Sequence, residues 1–163
     1  MSLGFSLAEN GHIVQSHYPA TVLDTTVVNG DVLSMKNHVR AEFIVVLGNG
    51  DPTADDGKIT VEACDDFVPT NVVAIPFRLY RNEAGSSDVL DAGADIPATG
   101  ALIKKTDNIT YLVEVLDEHL PEGKPNIRLV VLTCTGGTDV PLSVVAILSG
   151  SRSAAAASPT AIA

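Results

Sequence analysis

The sequence predicts an all-β protein, a β-sandwich or jelly-roll-like barrel of about eight strands, with an extended N-terminal arm and a flexible C-terminal tail. Three observations carry that expectation. Aromatic residues make up only 4% of the chain and Trp is absent, so Val, Ile, Leu and Ala must fill the core, and β-branched residues in short runs favour strands. Those runs alternate with period two, while no stretch shows convincing helical amphipathicity. Gly and Pro fall between the runs as turn punctuation. The 163 residues suit one domain that buries a core without disulfide or metal staples. The expected division is an arm over 1–14, a single β-sandwich domain over 15–149, and a tail over 150–163.

In chain order, residues 10–36 are turn-rich, with short β segments around His12–Gln15 and Asp31–Met35. His38–Leu47 is the first clear strand: Val39, Ala41, Phe43, Val45 and Leu47 share one face. Arg40 and Glu42 face the other way, whereas Ile44 and Val46 make the later half apolar on both faces. Such a strand lies deep in a sheet, under a second layer of the same chain, or at a subunit contact. Gly48 to Gly57 form a loop, Ile59–Cys64 a strand, and Val72–Arg81 a further strand with Val73, Ile75, Phe77 and Leu79 on one face. Pro76 cannot donate to a ladder, so that strand is expected at an edge or with a bulge. Asn82–Gly100 is a long polar excursion of the kind that carries contacts. Ala101–Lys104 reads as a short strand and Ile109–Leu116 as a strong one. Ile127–Cys134 and Leu142–Leu148 are the last, joined as a hairpin through Thr135–Asp139.

The net charge of −10 would repel a phosphate backbone, so no direct nucleic-acid partner is expected. No segment is long and apolar enough to span a membrane. Met1–Ser6 lacks the basic region and long apolar region of a signal peptide, so synthesis in a cytoplasm is expected. Cys64 and Cys134 have no companions for a zinc ribbon or a redox motif. They read as small buried hydrophobes in a reducing compartment, with a Cys64–Cys134 disulfide as the lesser alternative.

Catalytic patterns are sparse. Asp117-Glu118-His119 is the one acid–base neighbourhood, set in a Pro/Gly loop where a solvated His is the simpler account. Asp51, Asp55 and Asp56 have the flavour of a cation loop but lack the closing Glu of an EF-hand. Asp65 and Asp66 are adjacent and would point to opposite sides of an extended chain. No GxSxG elbow, P-loop or HExxH motif occurs. The expectation is a non-enzymatic protein with no cofactor, metal or catalytic residue.

Several segments resemble small structural proteins from the virion gene modules of tailed bacteriophages. They are Leu3–Val14 (LGFSLAENGHIV), Asp31–Asn37 (DVLSMKN), Ile59–Asp66 (ITVEACDD) leading to Ala74–Phe77, and Asn108–Val115 (NITYLVEV) followed by Leu120–Leu129 (LPEGKPNIRL). Together they cover most of residues 3–148, and their order along the chain carries the resemblance. It implies a β-sandwich virion component of the capsid decoration, or cement, type. The expected partners are the major capsid protein and further copies of the chain, as a homotrimer, on the outer surface of the capsid. Contacts are expected from the arm (Leu3, Phe5, Leu7, His12), from the long loop (Val89, Leu90, Ile96) and from the tail. The alternative is a tail or adsorption-apparatus protein that binds a host surface glycan, against which zero Trp and three Tyr argue.

Overall fold

The computed structural model describes residues 7–22, 27–48, 57–83, 89–103, 108–132 and 140–151. The described chain is one helical turn, α1 (Leu7–Asn10), followed by strands β1 (Gly11–Val22), β2 (Val27–Asn29), β3 (Leu33–Ser34), β4 (His38–Leu47), β5 (Gly57–Cys64), β6 (Val72–Ile75), β7 (Phe77–Glu83), β8 (Ala94–Ile96), β9 (Ala101–Ile103), β10 (Ile109–Leu116), β11 (Asn126–Leu132) and β12 (Val140–Ser151). A 3-10 turn, Asp117–His119, follows β10.

These strands build two antiparallel sheets. The front sheet runs β1-β12-β4-β10-β7-β8 and the back sheet β2-β11-β5-β6, with β3 beside β11 and β9 beside β5. Both sheets stay open, so the fold is a sandwich and not a closed barrel. Their inner faces interdigitate in one core. Phe43, Val45, Val113, Val144 and Leu148 come from the front, Val61, Ala63, Ile127 and Leu129 from the back. Aliphatic side chains suffice because alternation along each strand delivers one inward residue every second position: β10 reads buried and half-buried in strict turn.

Among the described residues twelve strands form where about eight are expected from spacing. The surplus lies in pieces such as β2, β3, β8 and β9, two or three residues long, too short to show a period. Two connections also differ from expectation. Pro76 does not sit within one strand; it is the corner at which the chain leaves β6 in the back sheet and enters β7 in the front sheet. Ile75, Phe77 and Leu79 are buried as anticipated, whereas Val73 is exposed on the short β6. The β11 and β12 strands are no hairpin, since β11 pairs with β2, β3 and β5 while β12 pairs with β1 and β4. The chain therefore passes from the back sheet at Leu132 to the front sheet at Val140.

The β1 strand is longer than the sequence suggests. It pairs with β12 from Gly11↔Ser149 to Val22↔Val140, with register shifts between Gln15 and His17 and between His17 and Ala20. These irregularities scramble the alternation that would otherwise announce a strand. The edge of β1 is fastened to the back sheet: Asp31 N–H donates to the Ser16 carbonyl (2.9 Å) and Gly30 N–H to the Leu129 carbonyl (2.8 Å). A Cβ on Gly30 would meet Ser16 Oγ at 2.5 Å and the Leu129 carbonyl oxygen at 3.2 Å, so a side chain here would force the Ser16 hydroxyl to turn away.

Strand ends define two poles. At the first lie the ends of β1, β4, β7, β9 and β11 and the starts of β2, β5, β10 and β12; at the second lie Gly11, His38, Asn126, Cys64 and Ser151.

Candidate functional site: exposed faces of the sandwich

The outer face of the front sheet is built from the residues that alternate away from the core. Register places Gln15, Val145, Ile44, Leu112 and Tyr80 in one row across five strands. The neighbouring row is Ile147, Glu42, Glu114 and Arg78, and on the other side Ser143, Val46, Thr110 and Asn82 line up. Ile44, Leu112 and Val145 are half-buried and Val46 is 45% exposed, on the central strands where a covering layer would be expected. No second layer of the described chain lies over them. Only Ile147 is covered: a side chain at Gly11 would meet both Leu7 Cδ1 (2.7 Å) and Ile147 Cγ2 (3.2 Å), which shows how closely α1 sits against β12.

Two arginines of this face pair with carboxylates. Glu42 and Glu114 stand opposite each other, an unfavourable like-charge pair, and arginines offset it. Arg40 Nε lies 3.1 Å from Glu114 Oε1, and Tyr80 Oη donates to Glu114 Oε2 at 3.4 Å. Arg78 stands over the Tyr80 ring, 5.6 Å from its centroid, and reaches Asp95 at 3.8 Å. At the first pole this face continues into a groove of about 410 Å³ lined by uncharged residues, among them Pro19, Thr21, Val46, Gly48, Thr110 and Pro141.

The back sheet presents a half-buried ion pair at its centre, with Arg128 Nε and Nη2 each 2.7 Å from Glu62 Oε2. Towards the first pole Val27, Leu132, Lys58 and Leu102 form a row, with Leu102 71% exposed. Near the second pole Phe67, Val68, Val72 and Val73 make another exposed apolar group. Further exposed apolar side chains, among them Ile13 and Tyr18 on β1 and Val89 and Leu90 before β8, lie apart from these.

The residues singled out in the sequence do not converge. Leu3 and Phe5 lie outside the described residues. Leu7 is exposed on α1, and His12 is half-buried in β1 opposite Leu148, at the start of the sheet and not on a free arm. Val89 and Leu90 are exposed, whereas Ile96 is half-buried opposite Phe77 and packs on the core. Asp51, Asp55, Asp56 and Cys134 lie outside the described residues. Cys64 is a free, buried thiol whose Sγ contacts the Asn126 carbonyl at 3.7 Å. Desolvation pushes that thiol up from its ordinary value.

His119 caps its own turn: its Nδ1 accepts the Leu116 N–H at 3.4 Å. The Asp65 carboxylate organises its loop, taking the Asp66 N–H (3.1 Å) and the Asn71 side-chain amide (3.2 Å). Among the described residues, no group of three or more His, Cys, Asp or Glu side chains could hold a metal ion. A feature the sequence did not reveal is a histidine pair at the second pole. The His12 and His38 rings are 6.3 Å apart, and His38 is buried with Nδ1 unpartnered. The two residues are far apart in sequence, and only the β1–β12–β4 order brings them together.

Of the three tyrosines, Tyr111 is in the core, Tyr80 is half-buried with Gly93 against its ring, and Tyr18 is exposed, stacked on His17 at 5.0 Å. No helix among the described residues is long and apolar enough to cross a membrane.

No family model matches the chain, and no curated protein matches it. Among solved structures the chain is similar to the SPBc2 prophage-derived protein YomS, at 14% identity and a TM-score of 0.43, over 86% of this chain and 94% of that one. It is also similar to the CBM22-1–GH10 modules of Clostridium thermocellum endo-1,4-β-D-xylanase 10B complexed with xylohexaose, at 11% identity and a TM-score of 0.38, over 92% of this chain and 28% of that one. Neither similarity assigns a residue or a role here.

Proposed function

We propose that this chain is a structural virion protein of a tailed phage, one that decorates the capsid and stabilises it by bridging major capsid subunits. The observation that supports this reading best is the distribution of exposed apolar side chains. Among the described residues they are scattered over the sandwich: Val46 on the front sheet, the Phe67–Val73 segment, the Val27–Leu102 row, Ile13 and Tyr18 on β1, and Val89 and Leu90 before β8. A protein that works on one ligand gathers its distinctive residues into one concavity; a protein that links neighbours needs several separate contact surfaces. The ordered resemblance of Leu3–Val14, Asp31–Asn37, Ile59–Asp66 and Asn108–Leu129 to small tailed-phage virion proteins points the same way.

The physics of such a role is linkage. A protein that binds the intact shell but not the ruptured one stabilises the intact state by its binding free energy. Several weak contacts from one rigid body add through effective concentration. The glycan-binding alternative has less support, since Tyr111 and Tyr80 are committed within the fold and Tyr18 presents the only exposed tyrosine ring.

Cryo-electron microscopy of particles carrying this protein tests the proposal. Density on the outer shell, spanning adjacent capsomers, is the expected result. Density confined to the tail would sink the cement role and favour the adsorption reading.

A further inference from the structure

The histidine pair at the second pole lies where a firmly held part of the front sheet meets a loosely held one. His38 opens β4, a strand flanked by β12 on one side and β10 on the other. His12 stands near the start of β1, the outermost strand, whose lateral neighbour is β12. The β1–β12 ladder runs unbroken from Gly11↔Ser149 to Gln15↔Val145 and then shifts register before His17. From that shift onward β1 is also tied to the back sheet, where the Ser16 carbonyl accepts the Asp31 N–H. Before it, β1 is held by the ladder to β12 and by the seat of α1 against Ile147.

A neutral imidazole suits the position of His38; a charged one does not. Imidazolium donates from both nitrogens, and Nδ1 of His38 is buried with no hydrogen-bond partner, so the charged ring would hold a donor that faces no acceptor. The His12 ring, 6.3 Å away, brings a like charge when it too is protonated. On β4 and β10 the nearby charges are Arg40, Glu42 and Glu114 of the outer face, with Arg40 bound to Glu114. The 3-10 turn that packs on β4 carries Asp117, Glu118 and His119, and His119 Nδ1 is taken up by the Leu116 N–H. α1 carries Glu9, Lys36 precedes β4 in an exposed position, and β12 sets neutral Ser151 opposite His38. Burial opposes protonation of His38, and the charge of His12 opposes it further. A charged ring is relieved by opening, and the opening that costs least breaks the fewest contacts. We propose that the second pole is an acid-opened latch, in which protonation of His38 frees α1 and residues 11–15 from β12 while the rest of the sandwich stays folded. Opening would uncover Ile147 and the edge of β12. The inference goes beyond shell bridging and does not depend on it.

The test is amide hydrogen exchange of the full-length chain, read by mass spectrometry at about pH 7.5 and about pH 5, on either side of the ordinary histidine range. Rates are corrected for the intrinsic pH dependence of exchange. Protection within residues 8–15 should fall at the lower pH by at least about fivefold, the equilibrium equivalent of one unpaired buried donor. Protection around Phe43 and Val113, at the centre of the front sheet, should hold. His38→Gln should abolish the response, with thermal melting showing a folded domain, and His119→Gln should leave it intact. Should His38→Gln not fold, His12→Gln carries the test and must shrink the response. Equal protection at both pH values, a loss spread evenly over the core, or a response that survives in folded His38→Gln or undiminished in His12→Gln would each overturn the proposal. So would a response lost in His119→Gln.

Discussion

At the scale of single residues, His38 and Gly100 show how buried positions constrain this protein. Burial holds the His38 imidazole below its ordinary value of 6.5, and the neighbouring His12 adds to the effect. A group whose folded pKa is depressed binds its proton more readily when unfolded. Its contribution to stability is therefore full above the unfolded pKa and is lost as pH falls through the folded value. The urea midpoint should drop as pH is lowered from about 7.5 to about 5, and His38→Gln should flatten that slope; an unchanged slope in the variant would remove His38 as its source. Gly100 ends the turn after Pro97 with φ +87°, and its N–H donates to the Pro97 carbonyl at 2.9 Å. A Cβ there would strike the carbonyl oxygen of Ile59, backbone that cannot move without disturbing β5. Gly100→Ala should cost about 2 kcal/mol or more, from φ strain plus that clash. Its melting temperature, measured beside Gly123→Ala, separates the two causes, because Gly123 has φ +77° but open space around it.

At the scale of elements, the strands most legible in the sequence are those with long, clean alternation. His38–Leu47 and Ile109–Leu116 carry the boundaries expected of them. They lie side by side at the centre of the front sheet, where one face must be apolar throughout. The doubly apolar run at Ile44 and Val46 was likewise legible as a strand with something to cover, though its lateral neighbours Leu112 and Val145 were not, because register is a long-range property. The elements that escaped prediction did so for local reasons: bulges break the alternation of β1, Pro76 divides a continuous apolar run between two sheets, and β2 and β3 are too short for any period. α1 matters for the arm. Deleting residues 2–11, the natural test of a docking arm, also removes the turn that covers Ile147, and should destabilise the fold by about 1–2 kcal/mol through lost apolar burial. Deleting residues 2–6 leaves α1 in place. Unfolding curves for the two deletions should therefore differ, and capsid binding is interpretable only for the shorter one.

At the scale of the whole molecule, the two open sheets share one core, so neither can fold without the other. The pairing of β1 with β12 has a mechanical meaning as well. Gly11 lies opposite Ser149 in neighbouring antiparallel strands, so both ends of the folded body leave from the same pole. A tension applied between those two points would peel β1 from β12 one rung after another, like a zipper, and yield at low force. A tension applied from pole to pole would instead load the ladder in shear, with many rungs resisting together. The sandwich is thus stiff along its strands and weak where β1 begins beside the end of β12, and a molecule of this kind withstands strain best when its neighbours grip its faces rather than its ends.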